Sequence, residues 1–239
     1  MKILSIGNSF SQDAQRYLHA LAKCEGVNVK AVNLYIGGCP LKKHYLNMLD
    51  DKKAYSLEFN GVSTGFSVSI RDALTSDDWD VITLQQASPL SGHFDSYTPY
   101  IEALAEYVRK YCPKAKLMIH ETWAYEDRNE RIEKLGFDSA KAMIEAIKSS
   151  YRKAAELIGA DGLIPAGEAM YRATELGIEK IHRDSFHASL GAGRYLLALT
   201  WFKYLTGKDI SENSFTELDV PVTDEERKIV ISAVNDIVK

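Results

Sequence analysis

The chain has no run of about 18 consecutive apolar residues, so it offers no candidate transmembrane helix. It also lacks a basic run. Lys and Arg number 29 against 33 Asp and Glu, a net charge of −4, which excludes nucleic-acid binding driven by charge alone. Cysteine is scarce: Cys24, Cys39 and Cys112 are an odd set in 239 residues. They make no disulfide framework, and any one pair would leave a free thiol. There is no Pro- or Ser-rich linker, no internal repeat and no low-complexity tract, so residues 1–239 read as one continuous domain. Hydrophobic residues at 46% and charged residues at 26% lie near the globular average and exclude disorder. The opening run Met1–Gly7 is too short for a signal-peptide core and reads as a first strand. The expected compartment is therefore cytoplasmic, or periplasmic or secreted if a signal peptide has been removed.

What is present is an alternation of short β-rich runs with longer helical ones. Apolar runs at Ile3–Ile6, Val27–Ile36, Val81–Leu84, Lys116–Ile119 and Asp161–Ile164 read as strands. Helical spacing recurs from Asp13 to Ala22, Tyr100 to Tyr111, Ala140 to Ile158, Ala166 to Leu176 and Ala188 to Leu205. Pro40 suits the first turn of a helix to about Leu49, and Gly159 is the expected C-cap of the long helix. Thr223 to Glu226 caps a last helix to Val238. Asn60-Gly61 between Tyr55–Phe59 and Val62–Val68 is a strong hairpin signal. Alternating strands and helices predict a parallel sheet with helices on both faces. Working groups then sit at the carboxyl ends of the strands: Gly7–Ser11, Gly37–Leu41, Gln85–Pro89 and His120–Tyr125.

The first turn, Gly7-Asn8-Ser9-Phe10, places a Ser between a strand and a helix N-terminus. Helix amides there can stabilise a developing oxyanion, which suits a nucleophile. The same residues also fit a plain helix cap. A phosphate-binding turn is a weaker reading, because neither a P-loop Lys nor G-x-G-x-x-G is present. Near a later helix start, Asp184 and His187 could orient and supply a general base, or serve as a cap and a surface histidine. His182, Asp184 and His187 could instead hold a metal, the basis of a metal-dependent hydrolase as a third reading. Gly37-Gly38 after a strand lets backbone approach a ligand, making the Gly38 N–H a second oxyanion donor. Cys39 beside it is an alternative nucleophile with no local base, or a buried structural thiol. Gln85 and Gln86 end an apolar strand, where a side-chain N–H could be a third donor or could satisfy loop backbone.

Taken together, these blocks resemble the SGNH hydrolases, the superfamily of GDSL-type esterases and lipases. Gly7-Asn8-Ser9-Phe10 resembles the nucleophile block, Gly38 the second block and Gln85 or Gln86 the third. Asp184-x-x-His187 resembles the last. The phrases Ile6–Phe10, Tyr35–Cys39, Trp79–Gln86 and His187-Ala188-Ser189 are similar to a branch catalogued as a domain of unknown function. Asn8 stands where the family usually has Asp, and Gln where the third block usually has Asn. Sialate- and xylan-type acetylesterases carry a Gln near that place, which favours Gln85 and sugar esters.

The resemblance implies a flavodoxin-like three-layer α/β/α sandwich with about five parallel strands and the 55–68 hairpin as an insertion. It implies a serine esterase with Ser9, His187 and Asp184 as triad, and an oxyanion hole from Ser9, Gly38 and Gln85 or Gln86. No cofactor and no metal are expected. The expected partner is a small-molecule ester, above all an acetyl ester of a carbohydrate, with no nucleic acid or membrane. Expected substrate contacts are Asn8, Phe10, His44, His120, Trp123 and Tyr125, the last two able to stack on a sugar. His93 lies near predicted strand ends or insertion loops as they do, and core packing is the alternative for each. A non-catalytic carbohydrate- or phosphate-binding module on the same fold is the competing class. If Ser9 and His187 meet, the chain closes on itself across nearly its whole length.

Overall fold

Residues Ile3 to Ile6 are buried on both sides of their strand, a pattern that requires helices above and below the sheet. The computed structural model describes residues Met1–Lys239 and meets that requirement. The chain runs β1 (Lys2–Gly7), α1 (Ser9–Gln15), α2 (Leu18–Cys24), β2 (Lys30–Tyr35), α3 (Leu41–Leu49), β3 (Tyr55–Phe59), β4 (Val62–Val68), α4 (Ile70–Leu74) and β5 (Val81–Leu84). It continues with α5 (Tyr100–Tyr111), β6 (Lys116–His120), α6 (Arg131–Lys134), α7 (Ala140–Ile158), β7 (Gly162–Ile164), α8 (Ala166–Glu175), α9 (Ala192–Thr206) and α10 (Asp224–Ile237).

One sheet of seven strands runs in the order β4-β3-β2-β1-β5-β6-β7. The five strands from β2 to β7 are parallel, with β1 central between β2 and β5. The hairpin is present, and it extends this sheet rather than standing apart from it. β3 pairs antiparallel with β2, from Val32 opposite Phe59 to Tyr35 opposite Ser56. Its attachment follows from β2 being an otherwise open edge with unpaired backbone groups. Helices α1, α2, α9 and α10 pack together over one face, and α3, α4, α5 and α7 over the other, with α8 between α7 and α9 at the β7 end. The parallel register brings Gly7, Tyr35, Leu84 and His120 to a common sheet edge.

Local signals set most helix ends. Asn8, Ser69, Ser139 and Thr223 each accept a backbone N–H of their helix's first turn. Two expectations are corrected. The helix expected over 13–22 is two helices, broken at Arg16 and Tyr17, whose side chains are tied to Gly61, Asp219 and Leu190. The last long helix begins at Ala192 rather than Ala188. The preceding backbone pairs with itself through a His182–Ala188 bridge and a Ser189 N–H bond to Ile181 O. No helix is long and apolar enough to cross a membrane.

Candidate functional site

The site is assembled from the carboxyl end of β1 and a tight turn that enters from the other end of the chain. Asn8 caps α1: its Oδ1 accepts the Phe10 N–H at 3.0 Å, and its own N–H donates to Ser11 Oγ at 3.1 Å. This fixes Ser9 as the first helical residue, half-buried, with its N–H free of any protein partner. Ser9 Oγ lies 2.9 Å from His187 Nε2, and His187 Nδ1 lies 2.7 Å from Asp184 Oδ2. The carboxylate accepts a hydrogen bond from Nδ1–H, which leaves Nε2 to accept from the Ser9 hydroxyl. These three residues are thus brought into line although Ser9 and His187 are 178 positions apart.

Asp184 organises its own turn. Its Oδ1 accepts the backbone N–H of His187 at 2.8 Å and of Phe186 at 3.4 Å. Partial burial alone would raise this carboxyl. The His187 ring and those two amides outweigh it and hold the group below its ordinary value. Ser185 at the tip has φ +69°, and its Oγ lies 2.9 Å from Asn129 Nδ2 as acceptor. The base of the turn is closed by the Arg183 N–H on His187 O at 2.9 Å.

A buried carboxylate anchors this turn to α1. Asp13, with no exposed surface, accepts Arg183 Nη1 on both oxygens at 2.9 Å and Arg194 Nε at 2.8 Å. Arg183 Nη1 also donates to Ala188 O at 2.5 Å. Asp13 was not singled out from the sequence. It sits inside a helical pattern, and its partners lie about 170 and 181 residues away.

Around Ser9 and His187 lies a groove of about 360 Å³. Asn8, Phe10, Tyr125 and Gly38 are among its lining residues. Gly38 has φ +60°, a conformation that favours glycine, and its N–H has no partner in the protein. Two unpaired amides, of Ser9 and Gly38, therefore belong to the groove. Arg131 and Phe186, which carry no sequence signal, also line it. The Arg131 guanidinium stands 4.9 Å over the Phe186 ring and is the only Lys or Arg in the lining.

Several expected contacts are corrected. The Gln85 and Gln86 side chains are buried and absent from the groove lining. Gln85 Nε2 donates to Asn8 Oδ1 at 2.7 Å, and its Oε1 lies 2.8 Å from His120 Nδ1. Gln86 bonds Leu41 N–H, Ala87 N–H and Ser96. Both amides are spent on neighbouring loops, so neither is placed as an oxyanion donor. His44 and His120 are fully buried, and burial pushes each down to about 3. His44 faces the Tyr55 hydroxyl at 2.9 Å. Trp123 has no exposed surface. It stacks on Phe10 at 4.1 Å and donates its indole N–H to Phe186 O at 2.7 Å, so it backs the groove instead of lining it. His93 lies outside as well, with Nε2 3.0 Å from Leu135 O.

Cys39 is buried, and burial pushes its thiol up to about 12, which leaves no thiolate to act as nucleophile. The His182, Asp184 and His187 cluster does not converge as metal ligands: His187 turns its two nitrogens to Asp184 and Ser9, while His182 lines a different cleft.

Comparison with known proteins places the family and the fold. A family model, described as a domain of unknown function (DUF4886), matches residues 2–235. The crystal structure of a DUF4886 family protein from Bacteroides uniformis superposes with a TM-score of 0.92 at 35% identity, covering 99% of this chain and 93% of that one. The acetyl xylan esterase AlAXEase is similar at a TM-score of 0.56 and 14% identity, over 85% of this chain and 98% of that one. A member of the lipolytic protein G-D-S-L family from Veillonella parvula is similar at 0.54 and 15%, over 86% and 98%. Those two likenesses are of fold. No curated protein matches the chain. From the family match over nearly the whole length, the chain belongs to the DUF4886 family, built on the fold shared with G-D-S-L lipolytic proteins.

Proposed function

We propose that the protein is a serine ester hydrolase acting on small acyl esters, above all acetyl esters of carbohydrates. The observation that carries this reading is the line Ser9–His187–Asp184, with distances of 2.9 and 2.7 Å, beside two unpaired backbone amides. Such a line is the arrangement an activated serine needs: a base in contact and a carboxylate that orients it.

Ser9 Oγ attacks the ester carbonyl carbon while its proton passes to His187 Nε2. Asp184 keeps the ring oriented and offsets the imidazolium charge. The former carbonyl oxygen takes the negative charge and is received by the N–H groups of Ser9 and Gly38. Losing one such donor typically costs ~10²–10³ in turnover. Collapse breaks the C–O bond, and the departing alcohol takes the proton from His187. Water then attacks the acyl-Ser9 ester and gives its proton to His187, which returns it to Ser9 Oγ as the C–O bond to Ser9 breaks and the acid leaves.

The substrate class rests on the groove. The half-buried Phe186 ring offers an apolar edge beside a sugar, with the buried Phe10 and Tyr125 behind it, and Arg131 offers N–H donors to hydroxyl or carboxylate groups. About 360 Å³ of partly open groove gives a short acyl group room and a long lipid chain little cover. The fold likeness to an acetyl xylan esterase supports the same direction. The test is a fluorophosphonate probe with mass spectrometry, alongside hydrolysis of 4-nitrophenyl acetate and a panel of acetylated sugars. A single adduct on Ser9 is expected, and Ser9→Ala should lose both labelling and turnover while its circular dichroism stays unchanged. Turnover retained by a folded Ser9→Ala chain would refute the assignment.

A further inference from the structure

A second concavity lies behind the turn that carries Asp184 and His187. It is a cleft of about 280 Å³ between the segment Trp123–Asp127 and α8 with the stretch that follows it to His182. It shares Tyr125 with the Ser9 groove but contains neither Ser9 nor His187. Its walls are mainly apolar, and the charged residues that line it are carboxylates: Glu126, Asp127, Glu175 and Glu179. Outside the lining, Arg128 pairs with Glu126 Oε2 and Arg172 with Glu175 Oε2, while Glu126 turns Oε1 toward His182 and Asp127 and Glu179 have no ion pair.

Carboxylates near a surface need no ligand, because water serves them. His182 is different. Its side chain is only 7% exposed, it lines the cleft, and neither ring nitrogen has a hydrogen-bond partner. Glu126 Oε1 stands 3.4 Å from Nδ1 without forming a hydrogen bond. Burial lowers His182, and this outweighs Glu126 and the Ala124 carbonyl, which favour the charged ring; in the neutral ring one nitrogen holds a free lone pair. An unpartnered buried polar group calls for a partner. Tyr171, in the same wall, reports the local field. Burial raises its hydroxyl, and Glu175 and Asp127 push it further the same way. The acidic groups and the imidazole do not gather as a metal site does. A fitting ligand therefore carries positive charge, N–H donors for the imidazole and carboxylates, and a short apolar stem.

We propose that this cleft binds a primary alkylammonium ion, with its N–H groups on Glu126 Oε1 and the free nitrogen of His182 and its stem against Tyr171 and Ile178. The backbone of His182 pairs with Ala188, next to His187, so the cleft and the turn of the Ser9 site share a strand-like seam. The binding does not depend on ester hydrolysis, and Ser9→Ala should bind the ion as the unaltered chain does.

The probe is n-butylammonium, titrated calorimetrically into the full chain, with the Trp123 indole N–H resonance as the marker of place. Saturable binding that shifts this resonance is expected. Tetramethylammonium has the charge without N–H groups, and 1-butanol has the stem without the charge. Each should bind about tenfold or more weakly. Glu126→Gln should weaken butylammonium by a similar factor. Absence of saturable binding, equal binding of either control, or undiminished binding by a folded Glu126→Gln chain overturns the proposal. If Glu126→Gln does not fold, the ranking of the three probes on the unaltered chain decides.

Discussion

Replacing Asp13 by Asn removes a charge from a place that solvent does not reach, and it does so without a large change in shape. Three contacts lose their ionic character: Arg183 Nη1 on both oxygens and Arg194 Nε on one, all between 2.8 and 2.9 Å. Breaking a buried pair from one side costs about 3–5 kcal/mol, because the partner is left uncompensated. Two observations lower that figure here. Arg194 keeps Asp219 through Nη1 at 2.8 Å. Arg183 keeps Ala188 O and is 28% exposed, so water reaches it. The expected loss is therefore about 2–3 kcal/mol. For a chain of this size, at ~2–4 °C per kcal/mol, Tm should fall by about 4–12 °C. Calorimetric melting and urea unfolding of D13N measure it. Arg183 precedes Asp184 and Ala188 follows His187, so the same change loosens the turn that holds the base. Ester turnover at a temperature where D13N is still folded should fall by about tenfold or more. A stability change under ~1 kcal/mol with unaltered turnover would refute the reasoning, because Asp13 would then neither stabilise the fold nor position the turn.

Glu121 is fully buried, and burial raises its carboxyl to about 8, with Glu168 adding to the rise. A raised carboxyl favours the folded state only while protonated. Stability should therefore fall as pH rises from about 4.5, the ordinary value, toward the folded value. Glu121→Gln should remove that slope, so its stability relative to the unaltered chain should be greater at pH 8 than at pH 5 in urea titrations; a difference independent of pH would contradict it. Gly167, in α8, has no room for a methyl group: a Cβ would stand 2.1 Å from Thr122 O and 2.8 Å from Glu121 Oε1. Gly167→Ala should cost about 1–3 kcal/mol in the same titrations, and a neutral result would mean α8 can shift freely from β6.

What could be read from the sequence was what short stretches of chain decide. Ser9 follows a strand and opens a helix, and Asp184 reaches His187 within one turn, so local spacing was enough to nominate them. The Asn60-Gly61 hairpin was legible for the same reason. Its pairing with β2 was not, because edge choice depends on which strand is left open after the others have paired. The glutamines show the limit most plainly. Gln85 ends β5 at the right sheet edge, but where its amide points depends on Asn8 and His120, 77 and 35 residues away. His120 ends β6, Trp123 follows it and His44 lies in α3, and packing draws all three into the interior. Arg131 opens the one-turn helix α6 and Phe186 lies in the tight turn before His187, stretches too short for periodicity to read, so nothing in the pattern marked them as groove walls.

The added hairpin also changes how this sheet meets other molecules in solution. Without it, β2 would present a straight row of unpaired N–H and C=O groups, a template for another chain to extend. The outermost strand is β4 instead, and it is not straight. Between the pairs Ser56–Ser67 and Glu58–Ser63, β4 has two more residues than β3. Thr64 Oγ1 turns back on Leu57 O at 2.7 Å in that interval. A strand interrupted in this way offers an incoming chain no continuous ladder. At the far side the sheet ends in the three-residue β7, too short to seed one. Although Val62 and Phe66 are 59% and 70% exposed on β4, the sheet is guarded at both ends against edge-to-edge polymerisation.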